Sequence, residues 1–193
     1  MQNEKSTSEM NPGTLRLVES AIMLALATAL SLVKIYQMPL GGSVTLCSML
    51  PIMLMGYKYG VKWGMLTGFT YGVIQLLLDV GAVMSWGLTP VAVAASFFLD
   101  YLLAFTFLGL AGIYGHSYKK FVMGTFTAVF LRFVSHVISG VTVFVSWVPE
   151  EWAEHPFLYS VSYNGSFLLP DFAICLVVSA VLYKQIKRFI SVQ

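Results

Sequence analysis

Four ionisable side chains lie within apolar stretches of the sequence that are long enough to cross a membrane. They are Asp100, Arg132, His136 and Asp171. Charged groups are costly in lipid, and where they occur there they usually serve a function. At about 1.5 Å of rise per helical residue, Asp100 and His136 each lie roughly 16 Å from the same end of their predicted helices. Two titratable groups at one depth on neighbouring helices can share one ligand.

These residues also admit other interpretations. Ion pairs among Asp100, Arg132 and His136, or between Arg132 and Asp171, would hold a purely structural subunit together. A carboxylate and a histidine also suit acid–base catalysis, so an intramembrane enzyme using Asp100 and His136 stays open as an alternative. However, the sequence contains no nucleophile motif, no H-x-x-x-H or C-x-x-C pair and no G-x-x-x-x-G-K-[ST] loop. We therefore expect a non-enzymatic protein with no metal site and no ATPase activity of its own.

Aromatic residues cluster just before the last apolar stretch. They are Trp147, Trp152, Phe157, Tyr159 and Tyr163, and Asn164 follows them directly. The tryptophans fit an interfacial aromatic belt, which is common in membrane proteins. The tyrosines and the asparagine fit a belt less well. Aromatic faces combined with a carboxylate favour a flat, cationic ligand that also forms hydrogen bonds.

The composition places these residues in a lipid-embedded helical bundle. Of the 193 residues, 58% are hydrophobic and only 10% are charged, whereas soluble domains carry about 25% charged residues. The net charge of +2 gives no reason to expect a nucleic-acid partner. We predict an all-α membrane protein with six transmembrane helices, preceded by a disordered cytoplasmic tail over residues 1–14. The helices of this single domain (15–193) are predicted at about 15–37, 44–57, 61–80, 89–113, 121–147 and 166–189.

Loop charges predict the orientation of this bundle. Basic residues gather at the end of the bundle that holds both termini: Lys58, Lys62, Lys119, Lys120, Lys184, Lys187 and Arg188. The opposite loops carry mainly acidic residues, namely Asp79, Glu150, Glu151 and Glu154, with Lys34 as the basic exception. Because cytoplasmic loops are enriched in Lys and Arg, both termini are predicted to be cytoplasmic. The stretch 149–164 is then outside, in a multi-pass membrane protein.

Several short motifs resemble one known family. The first apolar stretch carries an A-x-x-x-A pattern at Ala21 and Ala25. The fourth contains LDYLLAF, with Asp100 and Tyr101, followed by LGLAG, and the fifth contains RFxxHxxxG, which spans 132–140. Over nearly the whole chain after Leu15, the sequence resembles the thiamine-specific substrate-binding subunits (S-components) of energy-coupling factor (ECF) transporters.

The resemblance implies a set of ligand-binding residues in the outer half of the bundle. Thiamine is then the bound ligand, with no further cofactor, although another vitamin such as riboflavin or a thiamine precursor stays open. Phe144 stands where some members of the family have a stacking Trp, and Tyr36 is our candidate for an aromatic residue from the first outer loop. The full implied set is Asp100, Tyr101, His136, Gly140, Phe144, Tyr159, Asn164 and Tyr36.

The resemblance also implies protein partners. In the family, the small-residue motif on the first helix docks onto a transmembrane coupling subunit, and two ATPase subunits drive uptake. Ala21 and Ala25 are the corresponding residues here. A small-residue stripe lets helices approach closely, but the same pattern also suits packing inside the bundle. The sequence therefore leaves two locations open for this stripe, an outer face and a buried one.

Overall fold

The computed structural model of the protein describes residues 11–39 and 41–191. Within these residues, five helices are long and apolar enough to cross a membrane. They are α1 (Pro12–Leu32), α3 (Val61–Ser85), α4 (Pro90–Gly112), α5 (Tyr118–Thr142) and α6 (Pro156–Val181). Two shorter helices complete the bundle, α2 (Leu50–Tyr59) and α7 (Tyr183–Ser191). The predicted all-α membrane class is confirmed, whereas the described residues provide five helices of spanning length instead of the predicted six.

The difference in number comes from the second predicted helix. It was expected over 44–57, but α2 is only 10 residues long. A helix of that length covers about 15 Å, half of the hydrocarbon thickness of a bilayer. Every residue from Leu50 to Lys58 is buried. This segment is apolar because protein surrounds it, which composition alone does not distinguish from a segment surrounded by lipid.

A β-hairpin replaces the predicted end of the first helix. α1 ends at Leu32 and not at Gln37, and the chain continues as β1 (Lys34–Gln37) and β2 (Ser43–Thr45). The two strands pair antiparallel. Gly41 in the turn has a φ of 101°, a conformation that glycine adopts without steric cost. The hairpin lies where α1 and α3 end and α4 and α6 begin, and we call this end of the bundle the hairpin end.

The last long helix begins ten residues earlier than predicted. α6 starts at Pro156, in the first turn, where proline is compatible with a helix. Tyr159, Tyr163 and Asn164 are therefore helical residues and do not belong to a loop. The helix ends at Val181, and the rest of the predicted span forms the separate helix α7. Residues 1–10 of the predicted disordered tail lie outside the described residues. Residues 12–14 of that predicted tail are instead the first residues of α1.

Lys58 is not the loop charge that the sequence predicted. It is the buried last-turn residue of α2, and its Nζ donates hydrogen bonds of 2.9 and 2.7 Å to the two carboxylate oxygens of Glu19 in α1. Tyr59 donates a further 2.8 Å hydrogen bond to this carboxylate. The Phe189 ring of α7 lies 4.0 Å from the Lys58 Nζ. This ion pair therefore ties α1, α2 and α7 together at the end opposite the hairpin.

Glycines allow α2, α3 and α4 to pack closely. A Cβ atom placed on Gly109 of α4 would overlap the backbone of Gly64 in α3, and one placed on Gly56 of α2 would overlap Gly109. Close backbone contact of this kind is a main route to helix association in lipid. Nearer the hairpin end, Tyr71 and Phe105 pack edge to face with ring centroids 5.0 Å apart. These contacts fix α4 in place, and α4 carries the central acidic residue of the candidate site.

Candidate functional site

A cavity occupies the hairpin end of the bundle, and all five long helices and the hairpin contribute to its wall. The lining residues come from the last turn of α1, the middle and later turns of α3, the middle of α4, the second half of α5 and the stretch 159–171 of α6. The predicted ligand-binding residues that line it are Asp100, Tyr101, His136, Gly140, Phe144, Tyr159 and Asn164. Residues from three separate predicted segments therefore meet in one place.

Tyr36 is the predicted residue that does not join this group. It lies on β1, its side chain is 58% exposed, and it is not part of the cavity wall. Trp86, which follows α3 directly, provides an aromatic side chain near the hairpin instead. A Cβ atom placed on Gly41 would contact its indole ring. Tyr36, the candidate from the first outer loop, is therefore not in the cavity wall. Trp86, which was not among the predicted site residues, is part of that wall.

The Asp100 carboxylate is held by hydrogen bonds from two helices. Its Oδ2 accepts from the Ser96 hydroxyl at 2.9 Å, within α4, and from the Ser139 hydroxyl of α5 at 2.5 Å. Its Oδ1 lies 2.9 Å from Nδ1 of His136. A carboxylate that accepts several hydrogen bonds is well fixed in position. Asp100 therefore presents a preorganised acidic group to the cavity.

The backbone around Asp100 is unusual. Residues Phe97–Leu103 of α4 form a π-helical stretch, and Asp100 lies at its centre. Such stretches are rare and often occur at functional sites. The wider helical turn displaces the side chains from their α-helical positions, and Asp100 and Tyr101 both line the cavity from this stretch.

Arg132 and Asp171 extend the polar network from the Asp100–His136 pair. Nε of Arg132 donates to Nε2 of His136 at 3.3 Å. The guanidinium also lies over the Phe105 ring, with 4.2 Å between Cζ and the ring centroid. Asp171 accepts hydrogen bonds of 3.1 and 3.0 Å from the backbone N–H and the hydroxyl of Thr45 in β2. Because α6 begins at Pro156, Asp171 lies near the middle of this helix.

Aromatic side chains form much of the remaining wall. Phe144 and Trp86 pack edge to face with centroids 5.6 Å apart. Tyr159 and Tyr163 face each other on successive turns of α6, 6.0 Å apart. The hydroxyl of Tyr101 donates to Oδ2 of Asp79 at 3.3 Å. These rings offer faces and edges on which a flat ligand can stack.

Gly140 and Asn164 meet where α5 crosses α6. A Cβ atom on Gly140 would overlap the Ser160 hydroxyl and would lie 3.7 Å from Nδ2 of Asn164. The Nδ2 group donates to the backbone carbonyl of Ser160 at 2.9 Å. Glycine is therefore needed at 140 for this helix contact, and the bond to Ser160 fixes the orientation of the Asn164 amide.

Several residues that line the cavity or hold Asp100 in place were not predicted from the sequence. Asp79 was expected in an outer loop, whereas it lies in the last turns of α3 and faces the cavity. Ser96 precedes Asp100 by four residues, a spacing that puts two helical side chains on one face. That spacing is the signal that would have identified Ser96. No sequence spacing would have identified Ser139, because only the packing of α5 on α4 brings it to Asp100.

The cavity wall carries a formal excess of negative charge. The acidic residues are Asp79, Asp100 and Asp171, and the basic residues are Lys34 and Arg132. In a region of low dielectric, one uncompensated carboxylate favours a ligand with one positive charge. The described residues contain no cluster of three or more His, Cys, Asp or Glu side chains suited to a metal ion.

The small-residue stripe of α1 lies on the surface of the bundle. Ala21 and Ala25 are both exposed, and so are their neighbours Ile22 and Leu26. Of the two locations that the sequence left open, buried packing is therefore excluded. The stripe faces away from the cavity-lining helices, on a surface that lipid or another protein can cover.

Comparisons with known proteins agree with this arrangement. The profile of the thiamine transporter protein family (Thia_YuaJ) matches residues 17–191. Thiamine transporter ThiT of Bacillus subtilis is 34% identical over 190 residues, with 91% of this chain and 93% of that protein covered. Thiamine transporter ThiT of Lacticaseibacillus paracasei is 25% identical over 179 residues, covering 86% of this chain and 85% of that protein.

A solved structure has the same fold. ThiT from Listeria monocytogenes superposes with a TM-score of 0.72 at 21% identity, covering 93% of this chain and 99% of that chain. The family is one of transport proteins, which sets aside the alternative of an intramembrane enzyme using Asp100 and His136. The chain belongs to the thiamine transporter protein (Thia_YuaJ) family of multi-pass membrane proteins.

Proposed function

We propose that this protein is the high-affinity thiamine-binding subunit of an ATP-driven ECF vitamin uptake transporter. It captures the vitamin from the outer side and docks onto a membrane coupling subunit through α1, and two ATPase subunits supply the energy. The observation that carries the proposal is the Asp100 carboxylate, held by Ser96, Ser139 and His136 in a wall of aromatic side chains.

The chemistry of thiamine matches this wall. Its thiazolium ring carries a permanent positive charge, which the excess carboxylate of the cavity balances. Asp100 serves as the charge partner of the ring or as the hydrogen-bond acceptor of the aminopyrimidine. The aromatic rings of Tyr101, Phe144 and Tyr159 provide stacking surfaces, with cation–π attraction for the thiazolium. His136 and Asn164 add directional polar contacts, because their nitrogen and oxygen atoms have fixed orientations.

Capture from outside follows from the distribution of charge along the bundle. Lys119 and Lys120 lie at the end opposite the hairpin, as do the basic residues of α7. Glu150 and Glu151 belong to a short 3₁₀ turn at the hairpin end. The positive-inside rule then assigns the hairpin end, with its cavity, to the outer side. Both termini are cytoplasmic in this arrangement.

Docking through α1 is supported by the exposure of Ala21 and Ala25. Small side chains on a lipid-facing surface let a second helix approach closely. Ala21 lies at the middle of α1 and Ala25 one turn nearer the hairpin end, and neither residue lines the cavity. Docking and vitamin binding therefore use different surfaces of the protein.

The direct test is titration of the purified protein with thiamine, with tryptophan fluorescence as the readout. Trp86 lies in the cavity wall, so a bound thiamine ring is expected to quench its emission. We expect stoichiometric quenching by thiamine, with the vitamin recovered unchanged by mass spectrometry. Trp86→Phe is the matched control, because it removes the reporter and keeps an aromatic ring.

Competition decides the ligand class in the same experiment. Riboflavin and the separate pyrimidine and thiazole precursors of thiamine are added to the thiamine-loaded protein. Thiamine is expected to be retained against all of them. Stronger binding of riboflavin or of one precursor would overturn the assignment of thiamine, and no quenching or retention of any vitamin would overturn the binding function itself.

A further inference from the structure

We propose that Arg132 is a positioning residue that keeps His136 neutral, with its one proton on Nδ1, so that Asp100 retains its negative charge for a cationic ligand. The residue acts through His136 and not through direct contact with the ligand. This inference concerns the site of the proposed function and rests on it for the identity of the ligand.

The hydrogen bond between Arg132 and His136 can have only one direction. Nε of Arg132 lies 3.3 Å from Nε2 of His136, four residues further along the same helix. A guanidinium is always protonated in proteins, and its Nε carries a hydrogen atom and accepts nothing. The Nε2 atom of His136 must therefore be the acceptor and must carry no proton.

The single proton of a neutral His136 must then lie on the other ring nitrogen, Nδ1. Nδ1 of His136 lies 2.9 Å from Oδ1 of Asp100. A neutral imidazole carries one proton, so with Nε2 unprotonated the proton lies on Nδ1 and is donated to Asp100. An imidazolium has protons on both nitrogens and cannot accept from Arg132. The hydrogen bond from Arg132 is thus incompatible with a doubly protonated His136.

The protonation state of His136 decides whether the negative charge of Asp100 stays uncompensated. If His136 took a second proton, the His136–Asp100 contact would become an ion pair and would neutralise the carboxylate. A cationic ligand would then enter a cavity whose acidic group is already compensated. With Arg132 in place, Asp100 receives only neutral donors, from Ser96, Ser139 and His136.

Arg132 is itself held in a suitable position. Its guanidinium stacks on the Phe105 ring at 4.2 Å, which favours the charged group through cation–π attraction. The planar fork of an arginine keeps a fixed Nε–H direction when the group is stacked in this way. A lysine ammonium has no equivalent fixed donor.

The other groups around His136 leave this arrangement intact. Phe167 of α6 packs its ring edge against the imidazole at 6.1 Å. Asp171 of α6 is engaged by Thr45 of β2. The other ionisable residues of the cavity wall come from α3, β1, α4 and α6, and they are Tyr71, Asp79, Lys34, Tyr101, Tyr159 and Tyr163. The hydrogen bonds of His136 include one to Arg132 and one to Asp100, and these two bonds define its tautomer.

The test is nitrogen NMR of the ligand-free protein labelled with ¹⁵N-histidine. The sequence has three histidines, and His136→Gln identifies the signal of interest against His116 and His155. We expect the wild-type His136 to carry its proton on Nδ1 alone, both near pH 7.5 and near pH 5.5. A doubly protonated His136, or a proton on Nε2, near pH 7.5 would overturn the proposal without any variant.

Arg132→Gln provides the second arm. We expect its His136 to take a second proton near pH 5.5, and its thiamine affinity to fall about tenfold more than that of the wild type between the two pH values. Lys34→Gln is the matched control, since it removes a positive charge from the same cavity wall without contact to His136. A His136 that responds to pH in Arg132→Gln as in the wild type would also overturn the proposal.

The two proposals fail separately. The NMR spectra are recorded without ligand, so they report the protonation of His136 whatever the cavity binds. A wild-type protein with the expected tautomer that does not bind thiamine would refute the proposed function alone. If Arg132→Gln does not fold, as judged by the His116 and His155 signals, the wild-type spectra decide the inference.

Discussion

The Nδ1 atom of His136 lies 2.9 Å from Oδ1 of Asp100, and this contact joins α5 to α4 at the cavity wall. The two side chains remain 11% and 16% exposed, respectively. The sequence left open whether these residues hold the bundle together or bind a ligand. The geometry is compatible with both roles, because the pair links two helices and its polar atoms still border the cavity.

Replacement of Asp100 by Asn is expected to weaken thiamine binding by about 2 kcal/mol or more, roughly 30-fold in affinity. The substitution keeps the size of the side chain, but it removes the charge and places an amide where donors converge. Titration of the folded variant with thiamine measures the loss. Glu151→Gln, which removes a carboxylate outside the cavity, should bind like the wild type. Unchanged affinity in Asp100→Asn would contradict the assigned role.

Bulky residues on the stripe of α1 are expected to separate docking from binding. Ala21→Trp and Ala25→Trp should abolish uptake and co-purification of the coupling subunit, because a large side chain holds the partner helix away. Thiamine affinity of the isolated subunit should stay close to that of the wild type. Val177→Trp, at a position on α6 that is 64% exposed, is the control and should dock normally. Loss of thiamine binding in the α1 variants would argue against separate surfaces.

The predicted orientation can be tested by thiol labelling in intact cells. A cysteine at Glu151 should react with an impermeant reagent, and a cysteine at Lys120 should react only after the cells are opened. The two native cysteines, Cys47 and Cys175, are both buried and free, so a low background is expected. The opposite labelling pattern would place the cavity on the cytoplasmic side.

The Lys58–Glu19 ion pair gives a prediction about stability. Lys58 has no exposed side-chain surface. Lys58→Met leaves the Glu19 carboxylate without its ammonium partner, and we expect a loss of about 3 kcal/mol in the free energy of unfolding. Thermal unfolding in detergent measures this loss. The double variant Glu19→Gln with Lys58→Met should recover most of it, and a double variant as unstable as the single one would show that packing, and not charge, is responsible.

The sequence predicted seven of the residues that gather in the cavity, but not Asp79, Ser96 or Trp86. Asp100 and His136 were placed together because helical rise gives their depth, and depth does not depend on knowing how the helices pack. The same argument fails for Asp79. Its position near the end of an apolar stretch is compatible with either a loop or a helix end, and the hydrogen bond from Tyr101 depends on the packing of α3 against α4.

The remaining differences between the predicted helices and those in the structure have a common physical origin. Hydropathy reports whether a segment is surrounded by apolar groups, not whether those groups are lipid or protein. α2 therefore looked like a membrane span although it is buried in the bundle. The strand Lys34–Gln37 continued the apolar pattern of α1, and its pairing with Ser43–Thr45 requires a tertiary contact that no local pattern predicts.

The π-helical stretch Phe97–Leu103 makes α4 sensitive to its residue count. A π turn corresponds to one inserted residue in an α-helix. Removal of a single residue from this stretch would restore regular α-helical geometry and return the side chains within it to α-helical positions. The carboxylate of Asp100 would then shift relative to Ser139 and His136 of α5, although the side chains of α5 are unchanged. The spacing of α4 is thus as much a determinant of the site as the identity of its residues, and homologous chains that differ in length within this stretch are expected to differ in ligand recognition.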